Sequence, residues 1–94
     1  MGQTGIEIQN AQHVLNRTFR VVVSYSDEDK VYYASIPSIE GCMTYGDTVE
    51  EAMKHIKEAA EGILAVMQEE RWDIPDDSQT MEYHLHIPLA AVTS

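Results

Sequence analysis

The apolar positions fall into two regimes along the chain. Residues 1–16 show no clean periodicity; only Ile6 and Ile8 alternate with polar neighbours, so this stretch reads as an N-terminal extension or a short strand. From Arg17 to Tyr25, Phe19, Val21, Val23 and Tyr25 alternate with Arg20, Val22 and Ser24, a period of two in β-branched and aromatic residues that predicts a strand. Ser26-Asp27-Glu28-Asp29 supplies polar turn chemistry, and a second alternating run, Lys30–Ile36, follows it. Two such runs joined by a short turn predict an antiparallel hairpin, which Pro37 ends because proline cannot donate to a ladder. Cys42–Tyr45 is a candidate short third strand, and the isolated Gly41 and Gly46 read as turn residues of positive φ.

After Asp47 the period changes to that of a helix. Val49, Ala52, Met53, Ile56, Ala59, Ala60, Ile63, Val66 and Met67 follow one apolar face, while Glu50, Lys54, Lys57, Glu58 and Glu61 cover the other. Thr48 with Glu51 fits a capping box, Glu50–Lys54 and Lys57–Glu61 stand at pairing distance, and an end near Arg71 or Trp72 is expected. Gly62 costs roughly 1 kcal/mol against alanine and would suit close packing on a sheet. Beyond Ile74-Pro75, Tyr83, Leu85 and Ile87 alternate with His84 and His86, predicting a last strand before Pro88. The expected fold is α+β: a small antiparallel three-stranded sheet in β-β-β-α-β order, packed by one long helix that can bury its stripe only on the sheet. The domain is expected over residues 17–88, with 89–94 as a tail.

Ninety-four residues suit one domain with one modest core. Sixteen Asp and Glu against six Lys and Arg leave a net charge of −10. That field repels nucleic-acid backbones and anionic lipids and speeds encounter with basic partners. No apolar run approaches the ~18 residues of a membrane span, and the first ten residues lack a secretory pattern. A single cysteine, Cys42, excludes an internal disulfide and fits a cytoplasmic location.

Catalytic chemistry finds little support. The acids Asp27, Glu28, Asp29, Asp47, Glu50 and Glu51 lie in a turn and at a helix start, whereas a metal-dependent nuclease needs carboxylates converging on a cation, commonly including one from mid-strand. Cys42 beside glycine reads as a small buried thiol. His84 and His86 share one strand face but have no third ligand, and no glycine-rich phosphate loop is present. We therefore expect no catalytic residues, metal or cofactor. Tyr25, Tyr32 and Tyr33 would serve cross-strand packing or a protein interface.

One stretch is far more specific. Tyr33-Ala34, Ile36-Pro37, Ile39, Gly41-Cys42, Thr44 and Gly46-Asp47-Thr48, followed by Glu50-Glu51-Ala52, resemble the signature of HicB-family antitoxins, and the likeness covers roughly residues 17–78. It implies a partial RNase H-like domain without the nuclease carboxylates. It also implies a role in neutralising HicA, a small basic toxin that cleaves mRNA with a histidine, by covering its active surface. On that reading Asp27, Glu28 and Asp29 are the first candidates for toxin contact, with Glu40 and Asp47 behind them; acidic turns are also common simply because turns are solvated. Ser38 and Glu40 stand where the family commonly has aspartate and proline. Sixteen residues after Ser78 are too few for the helix-turn-helix or ribbon-helix-helix module many members append, which counts against operator binding. Homodimers or tetramers formed by sheet-edge pairing are expected. The alternatives are a solitary HicB-like oligomeric module with no toxin, and a remnant RNase H-type nuclease.

Overall fold

The computed structural model describes residues 15–91, so the expected strand or extension over residues 1–14 lies outside the described residues. Three strands, β1 (Val22–Ser26), β2 (Val31–Ser35) and β3 (Met43–Gly46), precede one helix, α1 (Val49–Glu69). The strands form an antiparallel sheet in the order β1-β2-β3. Val22 pairs with Ser35 and Ser26 with Val31 in the first ladder; Tyr32 pairs with Gly46 and Ser35 with Met43 in the second. Because side chains alternate across a strand, this register puts Val23, Tyr32, Ala34 and Thr44 on one face. Val22, Tyr33, Met43 and Tyr45 fall on the other.

The helix covers the first of those faces, lying over β3 and β2. Ala52, Ile56 and Ala60, spaced by one turn, are its buried residues. They meet Ala34 of β2 and Ile36, Ile39 and Cys42 of the following loop, and Phe19, Val21, Val23 and Ile63 pack around this core. The loop enters the core because it closes its own backbone bonds: Ile39 N–H donates to the Ile36 carbonyl, Cys42 N–H to Ile39, and Ile36 N–H to Cys42. Met53, Val49 and Val66 belong to the predicted apolar stripe yet stay 40%, 46% and 50% exposed, because the three-stranded sheet is narrower than the stripe.

Both helix ends are chemically closed. Thr48 Oγ1 accepts from Glu51 N–H at 3.0 Å, and Glu51 Oε1 accepts from Asp47 N–H at 2.6 Å, one residue earlier than a standard capping box. At the other end Arg71 adopts φ +62°, its N–H bonding the Gln68 carbonyl while Trp72 N–H reaches Met67, a Schellman closure. The helix thus stops slightly before the expected Arg71 or Trp72, at Glu69. Arg71 sits where glycine is favoured, so Arg71→Gly is expected to stabilise the domain by about 0.5–1 kcal/mol, read as a rise in urea midpoint. Lys57 and Glu61 pair at 2.7 Å, whereas Glu50 and Lys54 form no ion pair.

Three expectations need correcting. The predicted last strand does not form: no strand is present between Ser78 and Ala91, and Tyr83, Leu85 and Ile87 are 81%, 82% and 60% exposed. The approach to it is fastened mainly by side chains and not by a ladder. Asp76 Oδ1 accepts from Thr18 N–H and Asp77 Oδ2 from Arg20 N–H, each at 2.9 Å, and Asp77 N–H reaches the Thr18 carbonyl. A turn closed by Thr80 N–H on the Asp77 carbonyl follows, and beyond it Glu82 meets Arg20 at 3.2 Å. The bonds from Thr18 N–H and Ser78 hold the Asp76 carboxyl below its ordinary range. The same clasp occupies the start of the first alternating run, which is why β1 begins at Val22 and not near Arg17. Gly62 faces open space and packs on nothing. Finally, only Gly41 of the two loop glycines has positive φ, at +80°; Gly46 is required by space, since a Cβ there would stand 2.5 Å from the Ala52 nitrogen.

Candidate partner-binding surface

Antiparallel pairing brings the hairpin turn and the end of β3 to the same end of the sheet. Residues 27–30 connect β1 to β2, and Gly46 pairs with Tyr32, one residue into β2. Asp47 and the helix N-terminus, with Glu50 and Glu51, follow directly. One end of the molecule therefore carries Asp27, Glu28, Asp29 and Asp47, all exposed, together with the two acids of the first helical turn. Glu40 is exposed too, but it lies in the loop at the opposite end of the sheet, so the structure gathers four of the five acids proposed for partner contact and leaves Glu40 apart.

The turn has a defined shape. Asp29 N–H donates to Ser26 Oγ at 3.0 Å, Lys30 N–H to the Ser26 carbonyl at 2.7 Å, and Lys30 takes a left-handed φ of +61°. The Tyr33 hydroxyl donates to Asp29 Oδ2 at 2.6 Å. That bond, followed by desolvation and by the negative charge of Asp29, raises the Tyr33 pKa above the ordinary phenol. Asp29 is thus oriented, while the Asp27 and Glu28 side chains make no hydrogen bond among the described residues.

Beside the acidic end lies the uncovered face of the sheet. Tyr33 and Tyr45 form a tilted pair there with ring centroids 6.1 Å apart, and Tyr45 and Met43 are 59% and 65% exposed. Tyr25 and Tyr32 pair separately, at 4.9 Å, on the helix side. The three hairpin tyrosines that the sequence grouped are therefore divided between two faces. Met43 and Tyr45 were missed as surface candidates; their alternation with Thr44 was the available signal, too short in a four-residue strand to fix a face by itself. Aromatic and methionine side chains beside the oriented Asp29 carboxylate make a surface suited to protein docking.

Cys42 is buried, and burial raises its thiol pKa. The imidazole of His55 bonds the Tyr45 carbonyl through Nδ1 at 2.7 Å, and His84 lies 3.7 Å from Glu82. No three of His, Cys, Asp and Glu are placed to hold a metal ion. No described helix is long and apolar enough to cross a membrane.

The sequence model of the HicB-like antitoxins of bacterial toxin–antitoxin systems matches residues 19–89. The chain belongs to the HicB-like antitoxin family. Among curated relatives, it is 35% identical to the UPF0150 protein Ta0767 of Thermoplasma acidophilum over 57 residues, 61% of this chain and 83% of that protein. A UPF0150 protein of Archaeoglobus fulgidus is 40% identical over 48 residues, 51% of this chain and 68% of the relative. An uncharacterised 14.9 kDa protein in the rep-hol intergenic region of Haemophilus phage HP1 is 35% identical over 52 residues, 55% of this chain and 39% of that protein. No solved structure matches the chain. The match over residues 19–89 includes the exposed segment after Ser78, so in this HicB-like chain that segment belongs to the family unit.

Proposed function

We propose that this HicB-like chain is a non-catalytic antitoxin that binds a HicA-type, mRNA-cleaving toxin and covers its active surface. Family membership is the observation that carries this reading. The geometry supports it, since Asp27, Glu28, Asp29 and Asp47 share one exposed end next to the Tyr33–Tyr45 face. A basic RNA-cleaving protein is built to attract polyanions, and a folded acidic end with an aromatic platform offers the same sign of charge without a scissile bond. Action in the cytoplasm, where mRNA is the target, belongs to the same proposal, as does a sheet that keeps part of an RNase H-like plan.

The test is co-purification with a tagged HicA-type toxin from the same genome at two salt concentrations, with RNA cleavage as the second readout. A stable complex that blocks cleavage is expected. The triple variant Asp27→Asn, Glu28→Gln, Asp29→Asn should slow association by about tenfold at low salt, with the gap closing at high salt, because rim charges act chiefly on encounter. No complex at micromolar concentration would overturn the proposal. A solitary module remains the second reading, favoured by the exposed apolar segment after Ser78, which gives the chain an interaction surface that needs no toxin.

A further inference from the structure

Three features meet at the β1 side of the molecule. The first is an arm. Residues 79–91 form no strand or helix and are tied to the body at Glu82 by Arg20; Tyr83, Leu85 and Ile87 beyond the tie are exposed at a period of two, and the structure measures 79 Å along its long axis but only 27 and 24 Å across. A segment of this length can reach about 43 Å when extended, farther than the body is wide. The second is an apolar groove of about 780 Å³ between the helix and the first alternating run, lined by Phe19, Val21, Met53, Ile56, Ala60 and Leu64. It exists because the helix lies over β3 and β2, leaving its Met53 side uncovered.

The third feature is a difference between the two sheet edges. On β3 the Tyr45 carbonyl is taken by His55 and the helix packs close against Gly46, so that edge is partly blocked. β1 is paired on one side alone among the described residues. At its approach, Arg20 Nε is buried without a hydrogen-bond partner among the described residues, although the same guanidinium holds Glu82 at 3.2 Å.

We propose that residues 79–91 are a donor strand exchanged between two copies of this chain. The arm of one copy adds to the outer edge of β1 in the other, sets Tyr83, Leu85 and Ile87 into the apolar groove and leaves His84 and His86 on the outer face. This assembles the missing last strand in trans. A second copy is the fitting occupant because arm and groove are carried by the same chain, so a two-fold exchange buries both arms and both grooves and closes the assembly. An added strand also satisfies the backbone groups of the β1 edge, the usual hazard of an unprotected sheet. Two chains of net charge −10 repel, but the groove itself is close to neutral: Arg17, Lys54 and Lys57 border it with Glu50 and Glu61, and Lys57 is paired with Glu61. Of the acidic end, Glu50 borders the groove, whereas Asp27, Glu28, Asp29 and Asp47 do not line it and are left for a toxin.

The inference does not rest on the antitoxin reading, and salt separates the two. Added salt screens repulsion between like-charged copies and so favours the dimer, while it weakens an acidic–basic toxin complex. The experiment is light scattering after size exclusion on the full chain, with amide hydrogen exchange over a range of concentrations. We expect a dimer with residues 83–89 protected, and loss of that protection on dilution. The variant Leu85→Asp, Ile87→Asp should weaken dimerisation at least 100-fold and yield a monomer with unchanged circular dichroism, since both positions lie outside the core. Three results would each overturn the proposal: a monomer with an unprotected arm, arm protection independent of concentration (the arm folded on its own body), or a dimer that persists in the double variant.

Discussion

Gly46→Ala is expected to cost about 3 kcal/mol, the upper part of the range for forcing atoms into a filled interior. A Cβ at this position would lie 2.5 Å from the Ala52 nitrogen, 2.8 Å from the Glu51 carbonyl carbon and 3.0 Å from the Ala52 Cα. All three are backbone atoms of the first helical turn, so no side chain can swing away; the helix must lift from β3 or the strand must bend. A domain of this size has roughly 4–11 kcal/mol of stability in total, so the loss is a large share of it. Urea unfolding followed by circular dichroism should show the midpoint falling by about 2–3 M for a slope near 1 kcal/mol/M. Gly41→Ala is the control. It meets the strain of φ +80° but nothing within 4 Å, and should cost only about 1 kcal/mol. Equal effects of the two variants would remove the close strand–helix approach as the cause. The approach also has a functional side, because lifting the helix start separates Asp47 from the hairpin turn and should weaken toxin binding in parallel.

Ile56→Ala should cost about 2–5 kcal/mol, as deletion of a fully buried aliphatic side chain does. Ile56 is 1% exposed and is the largest side chain buried to that degree. Its neighbours across the interface are Ala34, Ile36 and Cys42, small or already committed to the loop, so little can move in to fill the space. Val66→Ala is the comparison within the same helix. Val66 is 50% exposed and its truncation should change stability by less than about 0.5 kcal/mol. A steep decline of the Ile56 variant in urea beside an unmoved Val66 variant would confirm that the sheet side of the helix holds the fold. Similar small effects from both would mean that Ile56 is not the centre of the core. If the arm exchange occurs, Ile56 also lines the receiving groove, and its loss should weaken the dimer as well.

Much of this was legible along the chain because it depends on neighbours in sequence. Alternation located the hairpin, Thr48 and Glu51 located the helix start, and the apolar spacing located the helix itself, since capping and periodicity act over three or four residues. The signature from Tyr33 to Ala52 carries the family resemblance in the sequence alone. Glycine roles were less legible. Gly41 and Gly46 look alike in the sequence, yet one serves a positive φ and the other serves a backbone contact that only the packed helix creates. The acidic candidates divided in the same way: Asp27, Glu28 and Asp29 are contiguous, but Asp47 joined them and Glu40 did not because β3 runs antiparallel to β2.

By itself, then, the amino-acid sequence determined the three hairpin strands, the helix and its cap and the acidic surplus, which follow from local spacing and composition, while the family came from the resemblance of one signature stretch. Only the tertiary structure decided which sheet face the helix covers, that Tyr33 and Tyr45 share the open one, and that the alternating run from Tyr83 to Ile87 forms no strand within its own chain. A period of two says that a segment is able to be a strand. Whether it becomes one depends on an edge within reach, and here, past the clasp of Asp76 and Asp77 on Thr18 and Arg20 and the turn that follows, that segment pairs with no strand among the described residues.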